Sequence, residues 1–290
     1  MVENKIVDLY GNDDTEAMYQ AALRAPLQDK IEMAIDLIRT FEKQALALSP
    51  DGYYVCFSGG KDSIVMAKLF GLAGVQYTLN YSNVTIDPPE LVWFIKQEYP
   101  QVIWHNPKKH ILRHMVDNYQ GLPTRVMRWC CSIYKEQGGN GLFKAVGVRA
   151  AESARRKGLW QPTRIIPGQK APIMSPILYW TDDDVWQFIY GNSMTYCSLY
   201  DEGYHRLGCI GCPMSGTKGR KRDFARWPRY EKMWKKAALD WLVKWRDIPR
   251  KDGLPRSNTQ YGSVDEYWSW WMEEENVNDT DQPDCQMWLW

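Results

Sequence analysis

Apolar positions in the first seventy residues change from helical to strand spacing and back again. Between residues 16 and 48 they recur every three or four positions, which predicts helices that are interrupted at Pro26 because proline cannot continue a helix. Residues 53–57 form a short β-prone run, and residues 64–70 return to helical spacing. The pattern predicts a helical lead-in, then a strand, a glycine-rich turn and a helix.

The same alternation continues through the next hundred residues. Strand patterns cover residues 76–81 and 102–106, and a helical pattern at 89–98 separates them. A further strand-like stretch covers 142–148, and Thr181 is a natural N-cap for a helix whose first turn is acidic. Alternating strands and helices predict an α/β fold with a parallel, Rossmann-like sheet and helices on both faces.

The chain divides into three parts on these patterns. Residues 1–50 form the helical lead-in, and residues 51–195 form the α/β domain that carries the chemistry. From residue 196 the composition shifts to cysteine, glycine, basic and tryptophan side chains, which predicts a mostly helical C-terminal module over 196–290. A chain of 290 residues is long enough for one such catalytic domain with an appended module.

Charge and cysteine content exclude several classes of protein. The 36 Lys and Arg residues nearly balance 35 Asp and Glu residues, so no overall field draws the molecule to nucleic acid or membrane. No stretch is apolar enough for a signal peptide or a membrane span, so we expect a soluble cytoplasmic protein. Seven cysteines cannot all pair, which favours reduced thiols or a metal site over a disulfide framework.

Residues 58–63 read Ser-Gly-Gly-Lys-Asp-Ser at the predicted junction of a strand and a helix. Two glycines let the backbone approach a polyphosphate, and the helix start directs unpaired N–H groups and a positive dipole end at it. The spacing differs from the Walker A loop. Asp62 is a ligand for Mg²⁺ or a helix cap, and the alternative for the whole segment is a simple turn. The predicted nucleotide-binding residues are Ser58, Gly59, Gly60, Lys61, Asp62 and Ser63.

A second phosphate-binding element is predicted at the end of the strand-like stretch 142–148. Arg149 carries a rigid donor fork that suits a phosphate or sulfate oxyanion, and Glu152 is placed to orient it. Gly147 precedes them. The alternative is an ordinary salt bridge between helix residues three positions apart.

Four cysteines form two pairs that are far apart in the sequence. Cys130 and Cys131 are adjacent, and Cys209 and Cys212 form a C-x-x-C motif. Four thiolates hold a [4Fe-4S] cluster or a structural Zn²⁺, and adjacent cysteines are unusual for zinc, so iron–sulfur is favoured. Buried thiols without metal are the remaining alternative. Cys197 is interpreted as a core residue, with a spare ligand or a persulfide carrier as the alternatives, and Cys56 as a small core residue.

The loop at 58–63 resembles that of the PP-loop ATP pyrophosphatases. Together with several further segments, it resembles the phosphoadenosine-phosphosulfate reductase family within that class. The resemblance runs through residues 50–215 and includes 125–131, 147–153, 176–180 and 199–213. It implies an adenine nucleotide alpha hydrolase-like fold in which 51–195 is the nucleotide-binding domain. It also implies ATP and Mg²⁺ as ligands, Lys61, Asp62 and Arg149 as catalytic residues, and a cluster site like that of adenylyl-sulfate reductases.

Two departures from the reductases decide between functions. The C-terminal Cys285 lacks the Gly and His that follow the catalytic cysteine of the reductases. The loop at 58–63 has the full Ser-Gly-Gly-Lys-Asp-Ser set, which the reductases usually lack. Both favour cleavage of ATP to AMP and pyrophosphate coupled to sulfur transfer, as in DNA phosphorothioation, with a cysteine desulfurase as sulfur donor. The alternatives are a phosphoadenylyl- or adenylyl-sulfate reductase and a non-catalytic iron–sulfur regulator.

The segment 218–256 is the candidate surface for a nucleic-acid acceptor. It contains fourteen Lys and Arg residues but only five Asp and Glu residues. Tryptophans recur through it at helical spacing, which fits base stacking beside phosphate contacts or an amphipathic helix packed on the protein, and packing is favoured. Residues 218–222 are interpreted as a phosphate-contacting loop or a solvated face. The tryptophans are Trp227, Trp234, Trp241 and Trp245.

Overall fold

The structure is a computed structural model that describes residues 15–152, 162–165, 171–249, 251, 253–254 and 261–273. The chain forms two compact units, each assembled from separate segments. The first unit comprises residues 1–57, 61–79 and 139–196, and the second comprises 58–60, 80–138 and 197–290.

The described strands lie between residues 53 and 174 with helices between several of them, whereas helices dominate the C-terminal part. The helices are α1 Thr15–Arg24, α2 Leu27–Thr40, α3 Glu42–Leu48, α4 Lys61–Ala73, α5 Pro89–Glu98, α6 Ile111–Asp117, α7 Trp129–Tyr134, α8 Asp182–Gly191, α9 Gly216–Arg226, α10 Pro228–Trp245 and α11 Val264–Glu273. The strands are β1 Tyr53–Cys56, β2 Tyr77–Ser82, β3 Ile103–His105, β4 Lys144–Ala145, β5 Thr163–Arg164 and β6 Ile173–Met174.

Six strands form one mixed sheet in the order β3-β2-β1-β4-β6-β5. The pairs β1–β4, β4–β6 and β2–β3 are parallel, as predicted, but β5 runs antiparallel to β6. Parallel order with intervening helices confirms the Rossmann-like class, and an antiparallel edge strand is a common addition to it. The strand predicted over 142–148 shortens to two residues, although the backbone N–H of Val146 still donates to the carbonyl of Met174 in β6 at 2.9 Å.

The core of the first unit is built around the aromatic residues of β1. Tyr53 is fully buried, meets Phe70 of α4 edge-on at 5.2 Å between ring centroids, and meets Phe143 at the same distance. Its hydroxyl donates to the carbonyl of Ile38 in α2. The predicted break at Pro26 is confirmed, since one helix ends at Arg24 and the next begins at Leu27. Helix α2 packs against α4, and α3 packs against β1.

The tryptophans of α10 belong to the core of the second unit. The indole N–H of Trp234 donates to the carbonyl of Ile210 at 3.2 Å, and that of Trp241 donates to Asn118 at 2.8 Å. Both rings are almost fully buried, so the packing interpretation is confirmed. Base stacking by these two rings is excluded, because a fully buried ring presents no face to a ligand.

The basic residues before α10 form a helix, so the phosphate-contacting loop, one of the two interpretations of this segment, is wrong. Residues 218–222 lie within α9, because the turn after Cys212 is followed directly by a helix start at Gly216. Arg220 is fully buried and donates to the carbonyl of Trp271 at 2.6 Å. Lys218, Lys221 and Arg222 remain exposed. Among the described helices, none is both long and apolar enough to cross a bilayer.

Candidate functional site

The glycine-rich turn at 58–60 is shaped by contacts that only glycine allows. Gly59 has a φ of 72°, and a Cβ at this position would lie 2.6 Å from Cγ1 of Ile95 in α5. A Cβ on Gly60 would lie 3.3 Å from the hydroxyl oxygen of Tyr200. The backbone N–H of Gly60 donates weakly to Oγ of Ser58 at 3.4 Å. The turn therefore has the close-packed, left-handed backbone that the two glycines predict.

Substitution of Gly59 tests this packing, and Gly74 supplies a matched control. We expect Gly59→Ala to lower the free energy of unfolding by about 2–4 kcal/mol, since left-handed backbone costs about 1 kcal/mol and the clash with Ile95 adds the rest. Gly74 has a similar φ of 69° but open space around its Cβ position. Gly74→Ala should therefore cost only about 1 kcal/mol. Equal urea-unfolding midpoints for the two variants would contradict the close packing of the turn.

Helix α4 begins directly after the turn and places three predicted residues in its first turn. Lys61 is 5% exposed, and its Nζ lies 3.1 Å from Oδ1 of Asp182. Ser63 is buried in the same turn of helix. The carboxylate of Asp62 lies 4.0 Å from the Lys61 ammonium, so it adds to the charge balance around that cation. The helix start thus carries a buried cation with carboxylates on two sides.

Arg149 joins the same group of charges from the end of β4. Its guanidinium is almost fully buried and uses its fork on two carboxylates, with Nε 2.6 Å from Oδ1 of Asp62 and Nη2 2.9 Å from Oδ1 of Asp182. Glu152, predicted to orient Arg149, contacts its main chain: the carboxylate accepts from the backbone N–H of Arg149 at 3.2 Å. Asp62 and Asp182 contact the guanidinium itself.

Gly147 allows the strand that leads to Arg149 to approach the start of α4. A Cβ on Gly147 would lie 3.3 Å from the backbone carbon of Asp62 and 3.3 Å from its Cβ, which is tighter than side chains ordinarily pack. The glycine therefore brings the backbone before Arg149 against the residue that Arg149 pairs with. The structure places Gly147, Arg149, Lys61 and Asp62 together within the first unit.

Asp182 is the site residue that sequence reasoning missed. The acidic residues after Thr181 were interpreted only as a helix start, and that part is confirmed by a capping box between Thr181 and Asp184. Burial alone would raise the pKa of the Asp182 carboxyl, but the ion pairs with Lys61 and Arg149 outweigh it and hold the pKa below its usual value. The carboxylate is therefore ionised at neutral pH and contacts both cations.

The four predicted metal ligands lie in the second unit but do not form one group. Cys130 and Cys209 lie close enough to interact electrostatically, and the Lys135 side chain donates a hydrogen bond to Cys209. Burial raises the pKa of the Cys209 thiol to about 12, and Lys135 opposes that rise. In the part of the chain that the structure describes, no three His, Cys, Asp or Glu side chains are placed to hold a metal ion.

The geometry of α7 explains why the cysteines are dispersed. Cys130 and Cys131 are consecutive residues of a helix, where side chains diverge by about 100°. Cys131 is buried, and Cys212 caps a short 3₁₀ helix at residues 213–215. A four-thiolate centre is not assembled among the described residues, and the cluster stays a prediction.

The remaining cysteines differ in how far the structure describes them. Cys197 is buried, and burial raises the pKa of its thiol, as expected of a core residue. Cys56 ends β1, and burial raises the pKa of its thiol to about 12. Both are consistent with their interpretation as core thiols. Cys285 and Ser153 lie outside the described residues.

Comparison with known proteins identifies the family to which this chain belongs. A family model described as the phosphoadenosine phosphosulfate reductase domain matches residues 52–215, more than half of the chain. An adenosine 5'-phosphosulfate reductase of Bacillus anthracis is 42% identical over 188 residues, which cover 60% of this chain and 80% of that protein. An uncharacterized protein of Methanocaldococcus jannaschii is 25% identical over 264 residues and 84% of this chain.

The chain matches only part of the length of its archaeal relatives. The chain spans 60% of the length of that Methanocaldococcus protein and 49% of a second one, which is 27% identical. Two solved structures also resemble the chain. A phosphoadenylyl-sulfate reductase from Candida auris has a TM-score of 0.46 at 13% identity and covers 67% of this chain and 93% of its own.

The second solved structure is a U34-tRNA thiolase from Methanococcus maripaludis with its [4Fe-4S] cluster. It has a TM-score of 0.41 at 16% identity and covers 83% of this chain and 88% of its own. At this level of superposition neither structure bears on the reaction.

Proposed function

The chain belongs to the phosphoadenosine phosphosulfate reductase family, and from that premise we propose that it is a nucleotide-handling enzyme that cleaves ATP to AMP and pyrophosphate to activate an acceptor for sulfur transfer. The whole reaction, its acceptor and its sulfur donor are parts of this proposal. A cysteine desulfurase is the proposed donor.

One observation carries the proposal: two buried cations of the first unit, Lys61 and Arg149, share an exposed carboxylate. Lys61 and Arg149 have side chains that are 6% and 4% exposed, whereas the Asp182 side chain is 58% exposed. Buried cations require counter-charge, and a phosphate chain that enters from the solvent side can provide it in place of the exposed carboxylate. N–H groups at the start of α4 add further donors. This combination supports a polyphosphate as the ligand.

The side chains suit attack at the α-phosphorus of ATP. An acceptor oxygen forms a bond to that phosphorus, and the bond to the bridging oxygen breaks so that pyrophosphate leaves with the electron pair. Lys61 and the helix N–H groups stabilise the charge that develops on pyrophosphate, and Arg149 stabilises the α-phosphate oxygens. The outer sulfur of a donor persulfide then displaces AMP, which departs with the acceptor oxygen, and a thiol reductant cleaves the S–S bond that joins the acceptor to the donor.

Carboxylates in this group fit a Mg²⁺ ion that would accompany the nucleotide. Asp62 and Asp182 supply oxygen ligands of the kind that Mg²⁺ prefers, and both lie within the cluster of ion pairs. The bound ion would offset phosphate charge. Within the chain itself, Lys61 and Arg149 position the phosphates.

The proposal is tested by product analysis with purified protein, ATP and Mg²⁺, with and without DNA. We expect AMP and pyrophosphate, and we expect Lys61→Met to reduce their formation strongly because it removes the buried cation. Lys68→Met, an exposed position on the same helix, is the matched control and should behave like the wild type. Formation of ADP and phosphate, or equal rates in the two variants, would overturn the proposal.

Reduction of adenylyl sulfate is the second candidate, and it is favoured by the 42% identity to the Bacillus anthracis reductase. Sulfite release from adenylyl sulfate in the presence of thioredoxin would replace the first proposal with this one. The same buried cations would then bind the phosphosulfate group. The two candidates are separated by the nucleotide that turns over, so one assay with both nucleotides decides between them.

A nucleic-acid acceptor is supported by the exposed basic residues of α9 and α10. Lys218 and Lys221 of α9 and Arg229 and Lys232 of α10 are exposed. Contacts of this kind go to the phosphate backbone and weaken as salt rises. The buried tryptophans do not contribute, so we propose phosphate contact without base stacking at this surface.

Iron analysis after anaerobic purification tests the cysteine site. We expect iron and sulfide near the ratio of one [4Fe-4S] cluster per chain, with Zn²⁺ as the alternative, and we expect Cys209→Ser to lower the content more than Cys197→Ser. Cys209 belongs to the predicted ligand set, whereas Cys197 is a core thiol. Equal metal content in both variants, or a wild type without iron or zinc, would contradict the predicted ligands.

A further inference from the structure

Asp182 differs from the other three charged residues of the site in being accessible. The side chains of Lys61 and Arg149 are almost fully buried and that of Asp62 is 22% exposed, whereas that of Asp182 is 58% exposed. A single oxygen of Asp182 nevertheless contacts both cations, at 3.1 Å and 2.9 Å. The exposed carboxylate is therefore the counter-charge that an incoming anion meets first.

The charges of the four side chains cancel before any ligand arrives. Two cations, Lys61 and Arg149, face two carboxylates, Asp62 and Asp182. A phosphate that binds the cations while both carboxylates stay in place brings like charges together, which costs affinity. Movement of one carboxylate away from the cations relieves this repulsion. Asp182 is the carboxylate that can move into solvent, because its side chain is the more exposed of the two.

The backbone of Asp182 is held independently of its side chain. The neighbouring Asp184 accepts from the buried ammonium of Lys30 at 2.6 Å and completes the capping box with Thr181. The first turn of α8 is thereby anchored to α2. Exchange of the Asp182 carboxylate then requires only a side-chain rotation, which is fast and needs no movement of the helix.

We propose that Asp182 is an exchangeable counter-anion, which occupies the phosphate position on Lys61 and Arg149 and gives way to nucleotides that bring a divalent cation. The inference rests on the proposed function and deepens it. A divalent cation offers the displaced carboxylate a new partner, so metal-bound polyphosphates enter. Metal-free phosphate, sulfate and pyrophosphate compete with the carboxylate and bind weakly. The residue thus determines which anions reach the cations.

The inference is tested by calorimetric binding of pyrophosphate and ATP, each with Mg²⁺ and with a chelator. We expect Asp182→Asn to bind metal-free pyrophosphate at least tenfold more tightly than the wild type, because the amide leaves the cations without their competitor. The ratio of affinities with and without Mg²⁺ should fall accordingly. Asp183→Asn removes an exposed carboxylate from the same helix turn and should match the wild type.

A second variant shows whether the effect of the first comes from loss of charge or from misfolding. Asp182→Glu retains the charge with a longer reach and should restore the weak binding of metal-free pyrophosphate. Unchanged or weaker metal-free binding by Asp182→Asn, with thermal unfolding like the wild type, would overturn the inference while ATP cleavage by the wild type stands. Tighter pyrophosphate binding without any ATP cleavage would instead uphold the exchange and refute the proposed reaction.

Discussion

Replacement of Arg149 by methionine is expected to lower the rate of pyrophosphate release from ATP by about 100- to 1,000-fold, the effect of removing a donor that stabilises transition-state charge. Methionine is unbranched and apolar, so it fills much of the space of the arginine stem. It leaves Asp62 without its 2.6 Å partner, and that carboxylate then repels the phosphates that it formerly helped to organise. Steady-state kinetics with ATP measures the loss.

Arg149→Lys separates charge from geometry at this position. Lysine keeps the positive charge but lacks the planar fork that contacts Asp62 and Asp182 together. We expect its rate to lie between those of the wild type and the methionine variant, with a native thermal unfolding curve. A methionine variant that retains the wild-type rate would show that Arg149 only pairs with carboxylates and takes no part in the reaction.

The fold could be predicted from the sequence wherever an element was long enough to show a period. Helix α4 and strand β2 each present several apolar positions at regular spacing, and both lie where they were expected. Strands β5 and β6 contain two residues each, too few for any alternation to register. Their pairing is set by tertiary contacts, which explains why the antiparallel edge was not predicted.

The candidate site was predictable in part for a similar reason. Gly59, Lys61 and Arg149 stand in local motifs whose residue types already imply phosphate chemistry. Asp182 was missed because acidic residues are common in the first turn of a helix, so its position after the N-cap Thr181 suggested no other role. Its partners lie 121 and 33 positions away in the chain, so only the folded structure shows that it bridges two cations.

For the cysteine pairs, the sequence predicted a set of ligands but could not predict where each side chain lies. Their spacing indicates a shared centre, yet among the described residues no three of these thiols are placed to hold a metal ion together, although Cys130 and Cys209 interact. Spacing along the chain says which thiols are available, whereas helix geometry decides where each one points. Cys131 follows Cys130 within α7 and therefore faces a different direction.

The tryptophans of α10 provide the largest expected change in stability. Trp241 is fully buried, stacks on Tyr267 at 5.4 Å between ring centroids, and donates from its indole N–H to Asn118 at 2.8 Å. We expect Trp241→Ala to lower the free energy of unfolding by about 3–5 kcal/mol, because it removes a large side chain from a packed core and leaves a carbonyl without its donor. Urea unfolding followed by circular dichroism measures the change.

Two further variants distinguish packing from a role in nucleic-acid binding. Trp241→Phe keeps an aromatic ring and loses the hydrogen bond, so it should cost less than the alanine variant. Lys232→Ala removes an exposed cation of the same helix and should leave stability unchanged while weakening any binding of DNA. If Trp241→Ala left the unfolding curve unchanged but reduced DNA binding, the ring would have to lie on the surface. Its burial beneath Gly121, where an added Cβ would lie 3.0 Å from the indole, argues for the packed position.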